Sequence, residues 1–189
     1  MNAVKCALIA IAAVAAAVPA VAQDTGYEGA QFVKAIQDGK SDDAAKLLQG
    51  SPTLVNARDM TGQTALIAAI KNRDHDWTAY LLQQGADPNL PGPGGETPLI
   101  AAARVGYGEA VDWLLSVGAK VNDSNRAGET ALIVAVQRRQ VPIVRSLLDA
   151  GADPDKTDSI AGYSARDYAK RDNRTPDMIK LIEAKKPGS

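Results

Sequence analysis

Gly95-Glu-Thr-Pro-Leu99 decides the fold of this chain, because Gly62-Gln-Thr-Ala-Leu66 stands 33 residues before it and Gly128-Glu-Thr-Ala-Leu132 stands 33 residues after it. A Leu-Leu pair keeps the same step (Leu81-Leu82, Leu114-Leu115, Leu147-Leu148), as do Gly85, Gly118 and Gly151 and then Asn56, Asn89, Asn122 and Asp155. Coincidence does not hold so many phases together. A period of about 20 to 50 residues marks a chain built as a stack of units.

Each unit has a physical reading. The glycine supplies a turn, and the hydroxyl of Thr64, Thr97 or Thr130 is placed to accept from the unpaired amides of a helix start. A short first helix follows, with Ala69, Ala102 and Ala135 in register where neighbouring units approach closely. A second helix carries the Leu pair, and the glycine after it suits the left-handed backbone that ends helices. Neither helix covers its apolar face alone. Burial therefore comes from stacking, at about 1.5–3 kcal/mol per buried leucine.

These residues resemble ankyrin repeats, whose pattern is Gly-x-Thr-Pro-Leu-His-x-Ala-Ala followed by Leu-Leu-x-x-Gly-Ala-Asp-x-Asn. Gly62-Gln-Thr-Ala-Leu-Ile-Ala-Ala69 with Leu81-Leu-Gln-Gln-Gly-Ala-Asp-Pro-Asn89 carries the resemblance, and so does Gly95-Glu-Thr-Pro-Leu-Ile-Ala-Ala102 with Leu114-Leu-Ser-Val-Gly-Ala-Lys-Val-Asn122. The resemblance implies an all-α solenoid of helix-turn-helix units joined by short hairpin-like fingers. The chain departs from the pattern in three ways. Ile67, Ile100 and Ile133 replace the family histidine, proline survives only at Pro98, and the glycine between the helices survives at Gly106 but becomes Arg73 and Arg139.

The expected organisation is a signal peptide over 1–22, a short linker over 23–29 and a repeat domain over 30–185. Within that domain lie an N-terminal cap (30–58), repeats at 59–91, 92–124 and 125–157, and a C-terminal cap (158–185), with a tail at 186–189. In the last cap Asp167 takes the histidine position. Thr175-Pro-Asp177 should open the final helix, with Thr175 as the capping hydroxyl, a proline in the first turn and an acid at the positive end.

Ahead of the repeats, Met1 to Lys5 is a short basic start, Cys6 to Val18 an unbroken apolar run and Ala20-Val-Ala22 a small-x-small boundary, the pattern of a secretory signal cut between Ala22 and Gln23. A run of that length falls short of the ~20 residues that span a bilayer, so no stable membrane anchor is expected after cleavage. Cleavage removes Lys5 alone among the charges, taking Lys+Arg from 21 to 20 against 22 Asp+Glu, and it removes the single cysteine. The mature chain then has no disulfide and no thiol chemistry. An alanine-rich signal points to bacterial export and the periplasm. In a eukaryotic secretory route, Asn122-Asp-Ser124 and Asn173-Arg-Thr175 would be glycan acceptors.

Catalytic, cofactor and metal motifs are not found. His75 is the one histidine, which rules out a multi-histidine metal site, and between Asp74 and Asp76 it reads as a solvated residue at a helix start. Gly92-Pro-Gly-Gly95 lacks the Gly-Lys-Ser/Thr ending of a phosphate loop and reads as a finger. A formal net charge of −1 argues against duplex nucleic acid as a partner. Tyr80 and Trp113, one step apart, are expected as neighbours on the second-helix layer, and Trp77 is expected in the core.

The ends of the first helices put Gln37, Lys71, Arg104, Gln137 and Arg171 in one row, with Arg73, Arg138 and Arg139 beside it. Two causes predict these residues: recognition of an acidic partner in the inner groove, and cations complementing helix C-termini. The expected partner-binding set is Lys71, Arg104, Arg138 and Arg171, with Gln63, Glu96 and Arg126 at the fingers. The expected function is that of a monomeric, non-enzymatic module that binds another protein as a scaffold or accessory factor. The alternatives are an inhibitor or immunity protein occluding an enzyme or toxin, and an enzyme using groove carboxylates.

Overall fold

The computed structural model describes residues 25–172 and 174–184. The expected signal segment with its Ala22/Gln23 boundary, Asn173 and the tail lie outside the described residues. Within them the chain forms ten α-helices and no strand: α1 (Thr25–Gln37), α2 (Ser41–Gly50), α3 (Ala65–Lys71), α4 (His75–Gln83), α5 (Pro98–Val105), α6 (Gly108–Ser116), α7 (Ala131–Gln137), α8 (Val141–Asp149), α9 (Ala165–Arg171) and α10 (Pro176–Ala184). They form antiparallel pairs stacked into two layers. The odd-numbered helices pack on one another in sequence, and α4, α6, α8 and α10 make the second layer.

Residues 25–29, expected as linker, belong to α1. A β-carbon at Gly29 would meet the Ala57 β-carbon at 3.0 Å, so the glycine that weakens helix propensity also lets α1 approach the chain at Ala57.

Helix starts behave as the threonines predict. The hydroxyls of Thr64, Thr97 and Thr130 accept from the amides of Ile67, Ile100 and Ile133, each at 3.2 Å. Between cap and last turn, Ala65 to Ile70, Pro98 to Ala103 and Ala131 to Val136 are all buried. These short helices are apolar on every side because they have neighbours on every side. In α9 the start is a capping box: Asp167 accepts from the Ser164 amide at 3.0 Å while the Ser164 hydroxyl accepts from the Asp167 amide at 3.2 Å. The Thr175 hydroxyl, by contrast, is buried without a hydrogen-bond partner among the described residues, so α10 starts on its proline and on Asp177 without the expected side-chain cap.

Of each leucine pair, the first member (Leu81, Leu114, Leu147) is fully buried, while Leu82 and Leu115 are half-buried at the edge of the core. Trp77 is buried as expected, edge-on to Phe32. Tyr80 and Trp113 do not pair as expected. Tyr80 is exposed against Trp77, and Trp113 meets His75 at 4.8 Å and Tyr107 at 6.2 Å.

The repeat asparagines have a structural reason for their phase. The side-chain oxygens of Asn56, Asn89 and Asn122 accept from the amides of Asp87, Lys120 and Asp153, each at 2.8 Å, so each asparagine ties its unit to the next. At the last step Asp155 instead pairs with Arg166 of α9, Oδ1 to Nε at 2.6 Å and Oδ2 to a terminal nitrogen at 3.2 Å. The tie becomes ionic where the cap replaces a repeat.

Gly106 ends α5 with φ 71°, a left-handed conformation, and the replacements Arg73 and Arg139 hold the same geometry at φ 54° and 57°. A residue with a β-carbon pays about 1–2 kcal/mol there. Both arginines use their side chains: Arg73 lies over the Tyr107 ring, and Arg139 pairs with Asp172.

Candidate protein-binding groove

The fingers are short turns, each closed across its base by a backbone bond, from the amides of Asp59, Gly92, Asn125 and Asp158 to the carbonyls of Gln63, Glu96, Glu129 and Tyr163. Three of the four are pinned from inside by a side chain. Asp59 accepts from the Thr61 and Gln63 amides, Asn125 from those of Ala127 and Glu129, and Asp158 from those of Ile160, Ala161 and Gly162. Gly92 has no side chain to do this. A β-carbon there would strike the Ile67 δ-methyl at 2.9 Å, so the apolar replacement of the family histidine occupies that space. In the Gly92 finger the amides of Gly92, Gly95 and Glu96 are all spent on internal bonds, which leaves the loop unsuited to cradle an anion. Adjacent fingers are joined by Arg126 N–H to the Gly94 carbonyl and Ser159 N–H to the Ala127 carbonyl, both 2.8 Å.

Against these fingers lie the ends of the odd-numbered helices. Lys71 Nζ is 2.8 Å from Glu96 and donates to Gln63 at 3.3 Å. Arg104 donates to Glu96 at 2.8 Å and to Glu129 at 3.1 Å. Gln37 donates to Asp59 at 3.1 Å. Arg171 stacks on the Tyr163 ring, 4.6 Å from its centroid, and donates to its hydroxyl. The row of cations therefore exists, and it has a role beyond the two expected: it latches the ends of α3, α5 and α9 to their own fingers, and Lys71 and Arg104, with Gln37 at the end of α1, reach the next finger as well. Glu96 is only 13% exposed at its side chain and serves two cations. Burial works against the charge of Arg104, but the hydrogen bonds and field of Glu96 and Glu129 outweigh it and raise its pKa further. Arg138, just past α7, and Arg126, at a fingertip, are exposed. Gln63 and Glu96 are half-buried.

One consequence is measurable. Arg104→Glu would set three carboxylates together, so it should cost about 1–3 kcal/mol rather than the few tenths of an ordinary surface exchange. Urea unfolding at neutral pH reads this directly, and an unchanged midpoint would mean the latch carries no stability.

The ankyrin-repeat family pattern, three copies, matches residues 32–125 and 94–158. The chain is an ankyrin-repeat protein. No curated protein matches it. The surface between fingers and first helices corresponds to the ankyrin groove, and ankyrin repeats indicate a protein–protein interaction module.

Charge is unevenly spread along the ankyrin groove. In the middle, Lys71 and Arg104 are answered by Glu96 and Glu129. Towards the C-terminal cap, a cavity of about 430 Å³ is lined by Val136, Gln137, Arg139, Tyr168, Arg171, Asp172 and Arg174. Sequence reasoning missed Arg174, Asp172, Tyr168 and Glu129. For Glu129 a signal was present, since it stands one repeat step after Glu96 and two after Gln63, the finger positions that Arg104 and Lys71 engage.

His75 is exposed at the start of α4, with Nδ1 3.5 Å from Asp76 and Nε2 3.9 Å from Glu109. Among the described residues, no group of three or more His, Cys, Asp or Glu side chains is placed to hold a metal ion, and no helix is long and apolar enough to cross a membrane. Apolar side chains stand out at two fingertips, where Met60 is 98% and Ile160 82% exposed.

Proposed function

We propose that this protein is an exported binding module that holds another protein in its concave groove, as a scaffold or accessory factor and without catalysis of its own. The observation that carries the reading is the groove itself: fingers pinned by Asx side chains, joined to one another and latched to helix ends make a rigid, preformed surface, which lowers the ordering cost of binding. Exposed Met60 and Ile160 at fingertips and Arg126 between them add apolar and charged contacts of the kind partners use. Lys71, Arg104, Arg138, Arg171, Gln63, Glu96 and Arg126 form the proposed contact set, and the partner presents acidic groups to it. An inhibitor that occludes an enzyme or toxin would use the same surface.

The test is affinity capture of the full chain from its own host's envelope extract with mass spectrometry of bound proteins. A saturable partner supports the reading, and turnover of a substrate by the purified chain refutes it.

Export rests on the basic start, the short apolar run and Ala20-Val-Ala22. Intact mass and N-terminal sequencing from the native host should find a chain beginning at or within about three residues of Gln23, and a mature species retaining Met1 would refute it.

A further inference from the structure

The cavity at the C-terminal end of the groove gathers three guanidinium groups from two separate chain segments. Arg139 follows α7, and Arg171 and Arg174 lie at and just after the end of α9. One carboxylate, Asp172, stands among them. Its two oxygens accept from Nε of Arg139 at 2.5 Å and from Nε of Arg174 at 3.1 Å. Both bonds use the inner nitrogen of the fork, so Asp172 orients two planar groups while their terminal N–H groups stay available for a bidentate acceptor. Arg171 is held separately by the Tyr163 ring. With three fixed cations against one anion, the lining carries a local excess of two positive charges.

We propose that this cavity anchors paired carboxylate side chains of an acidic segment in the partner protein. The inference rests on reading the protein as a binding module and names the chemistry of its partner. Size and charge both favour a peptide carboxylate. A volume of about 430 Å³ admits a few side chains, whereas Asp172 at the centre and a net charge of −1 for the whole chain disfavour a polyphosphate backbone. The middle of the groove offers less to a carboxylate pair, because Lys71 and Arg104 are balanced by Glu96 and Glu129 and leave no local excess of positive charge.

Isothermal titration of the full chain with a synthetic peptide bearing four consecutive glutamates should show saturable binding at low salt that weakens as salt rises. The same peptide with glutamines should bind at least about tenfold more weakly, as each lost charge-assisted bond is worth about a factor of ten. In the Arg139→Gly/Arg174→Gln variant the acidic peptide should lose about a hundredfold by the same measure. Folding is controlled by Arg139→Gly alone, which places glycine in a left-handed position and should melt no lower than about 2 °C below wild type. Equal binding by the glutamine peptide or by the double variant would overturn the proposal, and so would tighter binding of tripolyphosphate than of the acidic peptide. Failure of the parent reading looks different. A captured partner that binds wild type and double variant alike would leave the module standing and remove this anchor, whereas capture of no partner would remove the reading on which the anchor rests.

Discussion

Replacing Leu114 by alanine should lower the unfolding free energy by about 2–5 kcal/mol. Leu114 is fully buried in α6 of the middle repeat, between the layers that α4 and α8 continue on either side. Truncation removes its apolar area and leaves a cavity that neighbours on both sides cannot close. In a repeat stack, stability is a sum of units and the interfaces between them, and a middle unit takes part in two interfaces. Leu115→Ala, at the half-buried position beside it, should cost roughly half as much or less, since less area leaves water there in the first place. Urea denaturation of both variants gives the comparison. Equal losses would mean that the phase of the second helix has been misread.

Asp158→Ala is expected to cost about 2–4 kcal/mol. Asp158 is 5% exposed. One of its oxygens accepts from the amides of Ile160, Ala161 and Gly162, and the other from the Tyr168 hydroxyl at 2.6 Å. Alanine would orphan these donors, and buried donors without acceptors are what make such losses large. The same geometry sets a pH dependence. Burial by itself would raise the pKa of Asp158, but the Tyr168 hydroxyl and the three amides outweigh it and hold the group below the usual carboxylate range. Asp59 is lowered in the same way despite burial, by Thr61, Gln63 and Gln37, and Asp167 chiefly by the Ser164 amide and hydroxyl. A group whose folded pKa is depressed contributes stability that is fully present above its unfolded value, near 4, and lost as pH falls through the folded value. Wild type should therefore weaken progressively below about pH 4. Asp158→Asn, which keeps an acceptor for the amides but no longer titrates, should flatten part of that fall. Parallel loss in both proteins would assign the acid sensitivity to other groups.

The features legible in the sequence are those set by local chemistry at a fixed step. The threonine caps act within three residues, and the burial of whole first helices follows from their lack of any polar residue before the last turn. What escaped depends on groups far apart in the chain. Which leucine of a pair is buried depends on how α4, α6 and α8 are rotated against the first layer, and a period of 33 leaves that rotation open. A row of cations looks like a basic strip when read alone. It becomes a latch once Glu129 arrives 25 residues after Arg104. Arg139 and Asp172 stand one repeat step apart, at the position of the glycine between the helices, and their ion pair appears only when the two units are stacked. Thr175 had the right composition for a cap, yet its hydroxyl is buried without a hydrogen-bond partner among the described residues.

That the concave face is the working surface is tested most directly by hydrogen–deuterium exchange of the full chain, free and bound to its captured partner. Binding in the groove should add protection at the fingers around Thr61, Gly94, Arg126 and Ile160 and at the helix ends around Lys71, Arg138 and Arg171, with α4, α6 and α8 unchanged. Protection confined to α4, α6 and α8, with the fingers exchanging as in the free protein, would contradict it.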